Sequence, residues 1–161
     1  MTDNFIQIGK RDVLTLKIRT EDGKETGEAL TFDLEDIELP LRLQELVEKD
    51  KKNREWLKNQ MLIIDKKEDV KGKKLLSKND EDRMKALNEF FNKEIEIYNI
   101  FLGTNGVQKL LNGRKANWTM FDEIDEIIEK QIVPHLDLEM ESISEKIKKK
   151  YGNVKEKEIL K

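Results

Sequence analysis

Residues 84–128 read MKALNEFFNKEIEIYNIFLGTNGVQKLLNGRKANWTMFDEIDEII, and the order of apolar residues and glycines in them decides the fold. Met84, Leu87, Phe91, Ile95, Tyr98 and Leu102 recur at steps of three and four, the spacing of one face of an α-helix. Phe90, Ile97 and Phe101 widen that face. Gly103 fits the positive-φ position that ends a helix, Asn105 can cap a short helix over 105–112, and Gly113 terminates it in the same way. A further helix begins near Asn117 and carries Phe121, Ile124, Ile128 and Ile132. Pro134 must kink or break it, because proline lacks the N–H and clashes with the preceding turn.

Upstream, Leu14, Leu16 and Ile18 alternate with polar residues, as do Leu30, Phe32 and Leu34. Each set lies on one face of a strand, and Asp22-Gly23 between them is a turn signal, so a β-hairpin is expected over about 13–35. From Ile37 the period becomes helical. Leu39, Leu43, Leu46 and Val47 form a stripe, the polar run EKDKKNRE interrupts it, and Trp56, Leu57, Met61 and Ile64 resume it. One helix over about 38–65 with a solvated middle follows, then a charged linker, then the long helix over 79–102, with Ser77 to Asp80 supplying caps. The fold class is α+β, mainly α, with an N-terminal hairpin packed on a bundle of three to four helices. Residues 1–133 form a single domain with its last helix over 117–133. Residues 134–161 form a charged amphipathic helical tail whose end, from Tyr151, is expected to fray.

Composition narrows the function classes. The chain has 161 residues, 31 basic against 34 acidic, a net charge of −3, no cysteine and one histidine. Disulfides, thiolate metal sites and cysteine nucleophiles are excluded. The near-balanced charge argues against a phosphate-binding surface and so against nucleic acid. No apolar run spans a bilayer and the N-terminus lacks a signal-peptide pattern, so a cytoplasmic protein without membrane attachment is expected.

The candidate chemistries weaken on inspection. His135 has no evident metal or nucleophile partner. Asp122, Glu123, Asp125, Glu126 and Glu129 could bind magnesium as in a nuclease, yet they alternate with Phe121, Ile124 and Ile128 and read as the outer face of a helix in its dipole-favoured first turns. Gly103, Gly106 and Gly113 follow a helix and lack the Lys-Ser or Lys-Thr pair of a phosphate loop. No catalytic, cofactor-binding or metal-binding residue is assigned, and no cofactor is expected.

Partner-binding residues are a different matter. Phe90, Ile97 and Phe101 with Phe121, Ile124 and Ile128 are candidates for an apolar groove, core packing being the competing role for each. Met140, Ile143 and Ile147 form a narrow stripe in the tail, suited either to pairing with another chain as a homo-oligomer or to folding back on the domain.

The order Phe101-Leu102-Gly103, then Lys109 to Arg114 (KLLNGR), then Met120 to Ile124 (MFDEI), together with DLEDIELPLRLQELVEK at 33–49, resembles the tail assembly chaperones of long-tailed phages and prophages of Gram-positive bacteria. The likeness covers about residues 13–133. It implies a non-enzymatic helper that binds the tape measure protein and tail tube subunits in the host cytoplasm and is absent from the mature virion. It also implies a longer frameshifted form, for which the lysine run at 148–150 offers a slip site. A structural phage protein, such as a head–tail connector or tail completion protein, is the alternative, and a metal-dependent nuclease a further one.

Overall fold

A computed structural model describes residues 3–72 and 74–159, with side chains described as far as Tyr151 in the final helix. Two strands, β1 (Val13–Arg19) and β2 (Glu25–Asp33), precede five α-helices: α1 (Glu38–Asp65), α2 (Lys78–Leu102), α3 (Gly106–Leu111), α4 (Trp118–Ile127) and α5 (Val133–Ile159). The architecture is mainly α with an N-terminal hairpin, as the periodicity predicts.

The strands are antiparallel, with Leu14 opposite Phe32 and Leu16 opposite Leu30. That register puts the two alternating apolar sets on one face, where Ile18, Leu30, Phe32 and Leu34 are buried. Near the turn, two steps along β1 are matched by four along β2. The excess is taken up around Gly27, whose φ of 82° suits glycine and little else. Thr26 Oγ1 donates to the Ile18 carbonyl across this bulge.

α1 and α2 form an antiparallel helical hairpin: Asn53 meets Phe90 and Glu94 at one level, and Ile64 meets Asn79 at another. The buried residues of α1 are Leu39, Leu46, Asn53, Leu57 and Ile64. Their seven- and four-residue spacing is a narrow seam of the kind two packed helices share. The middle of α1 is therefore not wholly solvated. The seam runs through the polar stretch by way of Asn53, while Val47, expected on the stripe, is exposed. On α2 the most buried line is Ala86, Phe90, Glu94, Ile97 and Phe101, with Tyr98 and Leu102 beside it. Met84 lies outside it and is exposed, because the buried face is rotated toward the Phe90 side.

Asn79 ties the linker between these helices to both of them. Asn79 Nδ2 donates to the carbonyls of Ile64 and Lys67, closing the C-terminal end of α1, and its backbone N–H donates to Asp69 Oδ1. Ser77 accepts from the Asp80 N–H as the N-cap of α2.

Gly103 ends α2 at φ 94°. Three residues on, Gly106 is buried so tightly that a Cβ there would sit 2.6 Å from Leu102 Cβ. Asn105 does not cap α3 with its side chain, contrary to expectation: it is left-handed itself. Asn99, reaching from the last turns of α2, accepts from the Val107 N–H at 2.8 Å instead. Asn117 caps α4 by accepting from Met120 N–H.

Pro134 does not break the helix. Between α4 and α5 lies one π-helical turn, Ile128–Ile132, in which Val133 N–H reaches back to the Ile128 carbonyl. Widening the ladder by one residue just before the proline accommodates the missing N–H, so the helical run continues from Trp118 to Ile159. The main core joins hairpin, α2, α3, α4, the π turn and the start of α5, with Phe32 and Phe101 rings 5.5 Å apart. It extends to Leu136, one turn beyond the expected domain limit of 133. Backbone helix continues past Tyr151, where fraying was expected, to Ile159; residues 160 and 161 lie outside the described residues. Among the described residues no helix is long and apolar enough to cross a membrane.

Candidate functional site

Phe90, Phe101, Phe121, Ile124, Ile128 and Ile97 are all between 0 and 6% exposed. They are core residues, packed against other helices or the hairpin. Ile97 contributes to the wall of an open groove, and Ile124 to a smaller cleft of about 250 Å³ beside β1. In the tail Met140 and Ile147 are about half exposed and Ile143 is partly buried.

The groove lies between α1 and α2 and encloses about 820 Å³, within the range of ligand-binding clefts. Trp56 on α1 and Ile97 and Ile100 on α2 form its apolar floor. Lys49 and Lys52 stand along the α1 edge, and Glu89, Asn92, Lys93 and Glu96 along the α2 edge. It exists because the α1 seam is narrow. A seven-residue spacing buries one line of side chains, and the flank of α2 beside that line stays uncovered.

At its base Asn53 connects the groove to a buried polar network. Asn53 Nδ2 donates to Glu94 Oε1 at 2.8 Å and to the Phe90 carbonyl at 3.2 Å. Glu94 is 1% exposed, and its Oε2 is the buried side-chain polar atom that lacks a partner among the described residues. Burial raises the Glu94 pKa to about 8, helped by the facing Asp50 carboxyl and opposed by the Asn53 hydrogen bond and the Arg54 charge. At neutral pH Glu94 is thus held protonated, and its proton turns an orphan acceptor into a donor toward Asp50. Asp50 in turn receives Arg54 Nε at 3.0 Å on both oxygens.

The Arg54 guanidinium sits 5.8 Å from the Trp118 ring centre on α4. Trp118 joins Phe90, Phe91, Phe121 and Tyr98 in a run of aromatic contacts with centroids 4.9–6.1 Å apart. Tyr98 Oη donates to Asp125 Oδ1 at 2.5 Å. Burial lifts the Tyr98 pKa far above the usual phenol range, reinforced by Asp125, and burial also raises that of Asp125 against the Tyr98 hydrogen bond. Asp125 therefore does not belong to the outer face assigned to it. Asp122, Glu123, Glu126 and Glu129 do, and Glu126 pairs with Lys130. Among the described residues no group of three acidic or histidine side chains is placed to hold a metal ion, and His135 is exposed.

The groove residue Ile100 and the network of Asp50, Asn53 and Glu94 were not singled out from sequence, and Trp56 was read only as part of the apolar stripe of α1. One signal was there to read: Glu94 interrupts the apolar series Phe90, Ile97, Phe101 at i+4, and Asn53 continues the spacing Leu39, Leu46.

In comparisons with known proteins, no family profile, no curated protein and no solved structure matches the chain.

Proposed function

We propose that this protein is a non-enzymatic tail assembly chaperone of a phage or prophage, which holds the helical tape measure protein and tail tube subunits until the tail polymerises. The observation that carries this reading is the α1–α2 groove, whose floor is Trp56, Ile97 and Ile100 and whose edges carry both signs of charge. An amphipathic helix recognised in a groove places apolar side chains at i, i+3, i+4 and i+7 on such a floor and its polar flanks against such edges. The residue order from Phe101 to Ile128 supports the same family. The glycines of that stretch end or tighten helices, and its exposed acids line a solvated helix face.

Mature particles and assembly intermediates test the proposal together. The chain is expected in complexes with the tape measure protein before assembly and absent from purified particles by mass spectrometry. Ile100→Glu is expected to remove it from those complexes while leaving the helical circular dichroism unchanged. Presence of the chain in mature particles at a fixed stoichiometry would overturn the chaperone reading in favour of a connector or completion protein.

A further inference from the structure

We propose that two copies of this chain pair edge to edge: residues 3–10 of each add as an antiparallel strand to the β1 edge of the other, with Ile6 beside Leu16 and Ile8 beside Leu14.

The N-terminal arm carries apolar side chains that nothing in the chain covers. Phe5, Ile6 and Ile8 are 88, 98 and 87% exposed, and residues 3–12 form neither helix nor strand. Its last two residues nevertheless run in line with β1. The Asp12 carbonyl accepts from Leu34 N–H, and Arg11 pairs with Asp33 across the hairpin. Ile6 and Ile8 are two apart, so an arm extended along that line presents both on one face. It is the face of Leu14, Leu16 and Ile18, which is turned to the core.

β1 is open on the side away from β2. The bond from Leu34 to Asp12 marks a hydrogen-bonded pair, and such pairs recur at every second residue, at Leu14 with Phe32 and Leu16 with Leu30. The main-chain groups of Val13, Thr15 and Lys17 therefore point away from β2, and all three residues are exposed. Such an edge is a template for strand addition. Beside it lies the cleft of about 250 Å³, lined by Leu16 and Ile18 and by Met120, Ile124 and Ile127 of α4. The cleft has room for aliphatic side chains and not for a helix, which is about 10 Å across.

The register selects a second copy as the occupant. With Arg11 on a two-fold axis, each residue before it faces the one equally far beyond it in the other copy. Ile8 then meets Leu14 and Ile6 meets Leu16 on the core face, while Asp3 meets Arg19 and Lys10 meets Asp12. Arg11 meets its own copy, each guanidinium held by Asp33 of its own chain. Asp12 is short of a cation where it stands: its closeness, ahead of burial and the Glu35 charge, raises the Glu139 pKa. Lys10 of the second copy supplies that cation.

The arm cannot do the same within its own chain. Arg11 and Asp12 are tied to β2, so a reversal would have to fit into Gly9 and Lys10. Ile8 would then face Arg11. Alternation would turn Ile6 and Ile8 to solvent, and Asp3 and Gln7 to the core face along with Phe5. Pairing like edges about a two-fold axis satisfies both arms and closes the assembly at two chains.

Sedimentation and light scattering of the full chain across the micromolar range test this with no client or phage component, so the outcome is independent of the chaperone reading. The native protein is expected to reach the mass of two chains. Ile6→Asp with Ile8→Asp, both at solvent-exposed positions, is expected to stay at the mass of one chain with an unchanged urea midpoint. Because the chain has no cysteine, engineered disulfides read the register. Asp3→Cys chains mixed with Arg19→Cys chains are expected, on oxidation, to give the mixed disulfide in about tenfold excess over either homodisulfide. A native protein that stays monomeric, association unchanged by the Ile6 and Ile8 substitutions, or a mixed disulfide no more abundant than random pairing gives would each overturn the proposal.

Discussion

Replacing Glu94 by Gln tests the buried network most directly. Glu94 is 1% exposed, with Oε1 accepting from Asn53 and Oε2 facing no donor. Its pKa rises from 4.5 in the unfolded chain to about 8, by burial first and the neighbouring Asp50 second. Between these two values the folded protein holds a proton that the unfolded chain has released. Unfolding then releases a proton, and stability falls as pH rises. This contribution is complete below about pH 4.5, declines by up to about 1.4 kcal/mol for each pH unit above it, and is gone once the pH passes about 8. Integrated over the whole interval the loss has a ceiling of about 5 kcal/mol. Asn53 lines the open groove, and allowing for solvent screening there brings the figure to about 2–3 kcal/mol. Gln has the shape of the neutral acid and can donate to Asp50, but does not titrate. Urea unfolding followed by circular dichroism, for native protein and Glu94→Gln at about pH 5 and about pH 8, isolates the effect as a difference between the two proteins. Near pH 5 they are expected to agree within about 1 kcal/mol, and near pH 8 the variant is expected to be the more stable by about 2–3 kcal/mol. Two curves that run parallel across this range would refute the assignment of a buried neutral acid. The groups that face Glu94 are Asp50, Asn53 and Arg54 from α1, with Tyr98 and Asp125 nearby. Asp50→Asn is therefore expected to reduce the pH dependence without abolishing it.

Phe90 is fully buried and touches Phe91 and Trp118 as well as the Leu57–Ala86 cluster. Phe90→Ala is expected to cost about 3–5 kcal/mol, read as a lower urea midpoint, with Trp118 fluorescence shifted toward that of an exposed indole. Asn99→Ala removes the acceptor for Val107 N–H and the link to Gln108. It is expected to cost about 1 kcal/mol and to speed amide exchange in α3 while leaving α1 unaffected; uniform exchange changes would contradict a local capping role.

The hairpin and the helices of the bundle were legible because their signals are local. Leu14, Leu16 and Ile18 alternate, and so do Leu30, Phe32 and Leu34, a period of two that suits a pleated strand. The residues of α2 recur at three and four, and its flanking Ser77 and Gly103 mark both ends. Where the reading erred, a distant partner overrode a local rule. Asn105 had the right identity for a cap, but Asn99 reached the same N–H first from the end of α2. Pro134 was expected to kink or break the helix; the helix is not broken, because the π turn before it absorbed the missing donor. Asp125 read as one of several surface acids until Tyr98, 27 residues earlier, was placed against it.

The candidate site was less legible than the fold. Phe90, Ile97, Phe101, Phe121, Ile124 and Ile128 are apolar and well spaced, and that spacing describes a core residue and a groove residue equally well. Five of the six went to the core or to the smaller cleft beside β1, and Ile97 alone lines the larger groove. Ile100 lies outside the periodic series of α2 and Trp56 reads as one more residue of the α1 stripe, so neither carries a pattern that separates a groove residue from an ordinary half-buried side chain.

By itself, then, the sequence determined which segments are strands and helices, where the hairpin and the first three helices begin and end to within a residue or so, and that no cysteine chemistry operates. Those properties depend on residues within a turn or two of one another. Only the tertiary structure decided which polar groups are buried, how α1 and α2 leave a groove open beside their seam, and that the stripe of α5 outlasts the core. Each of these depends on the distance between elements far apart in the chain, and the alternation of apolar and polar residues within one element does not encode that distance.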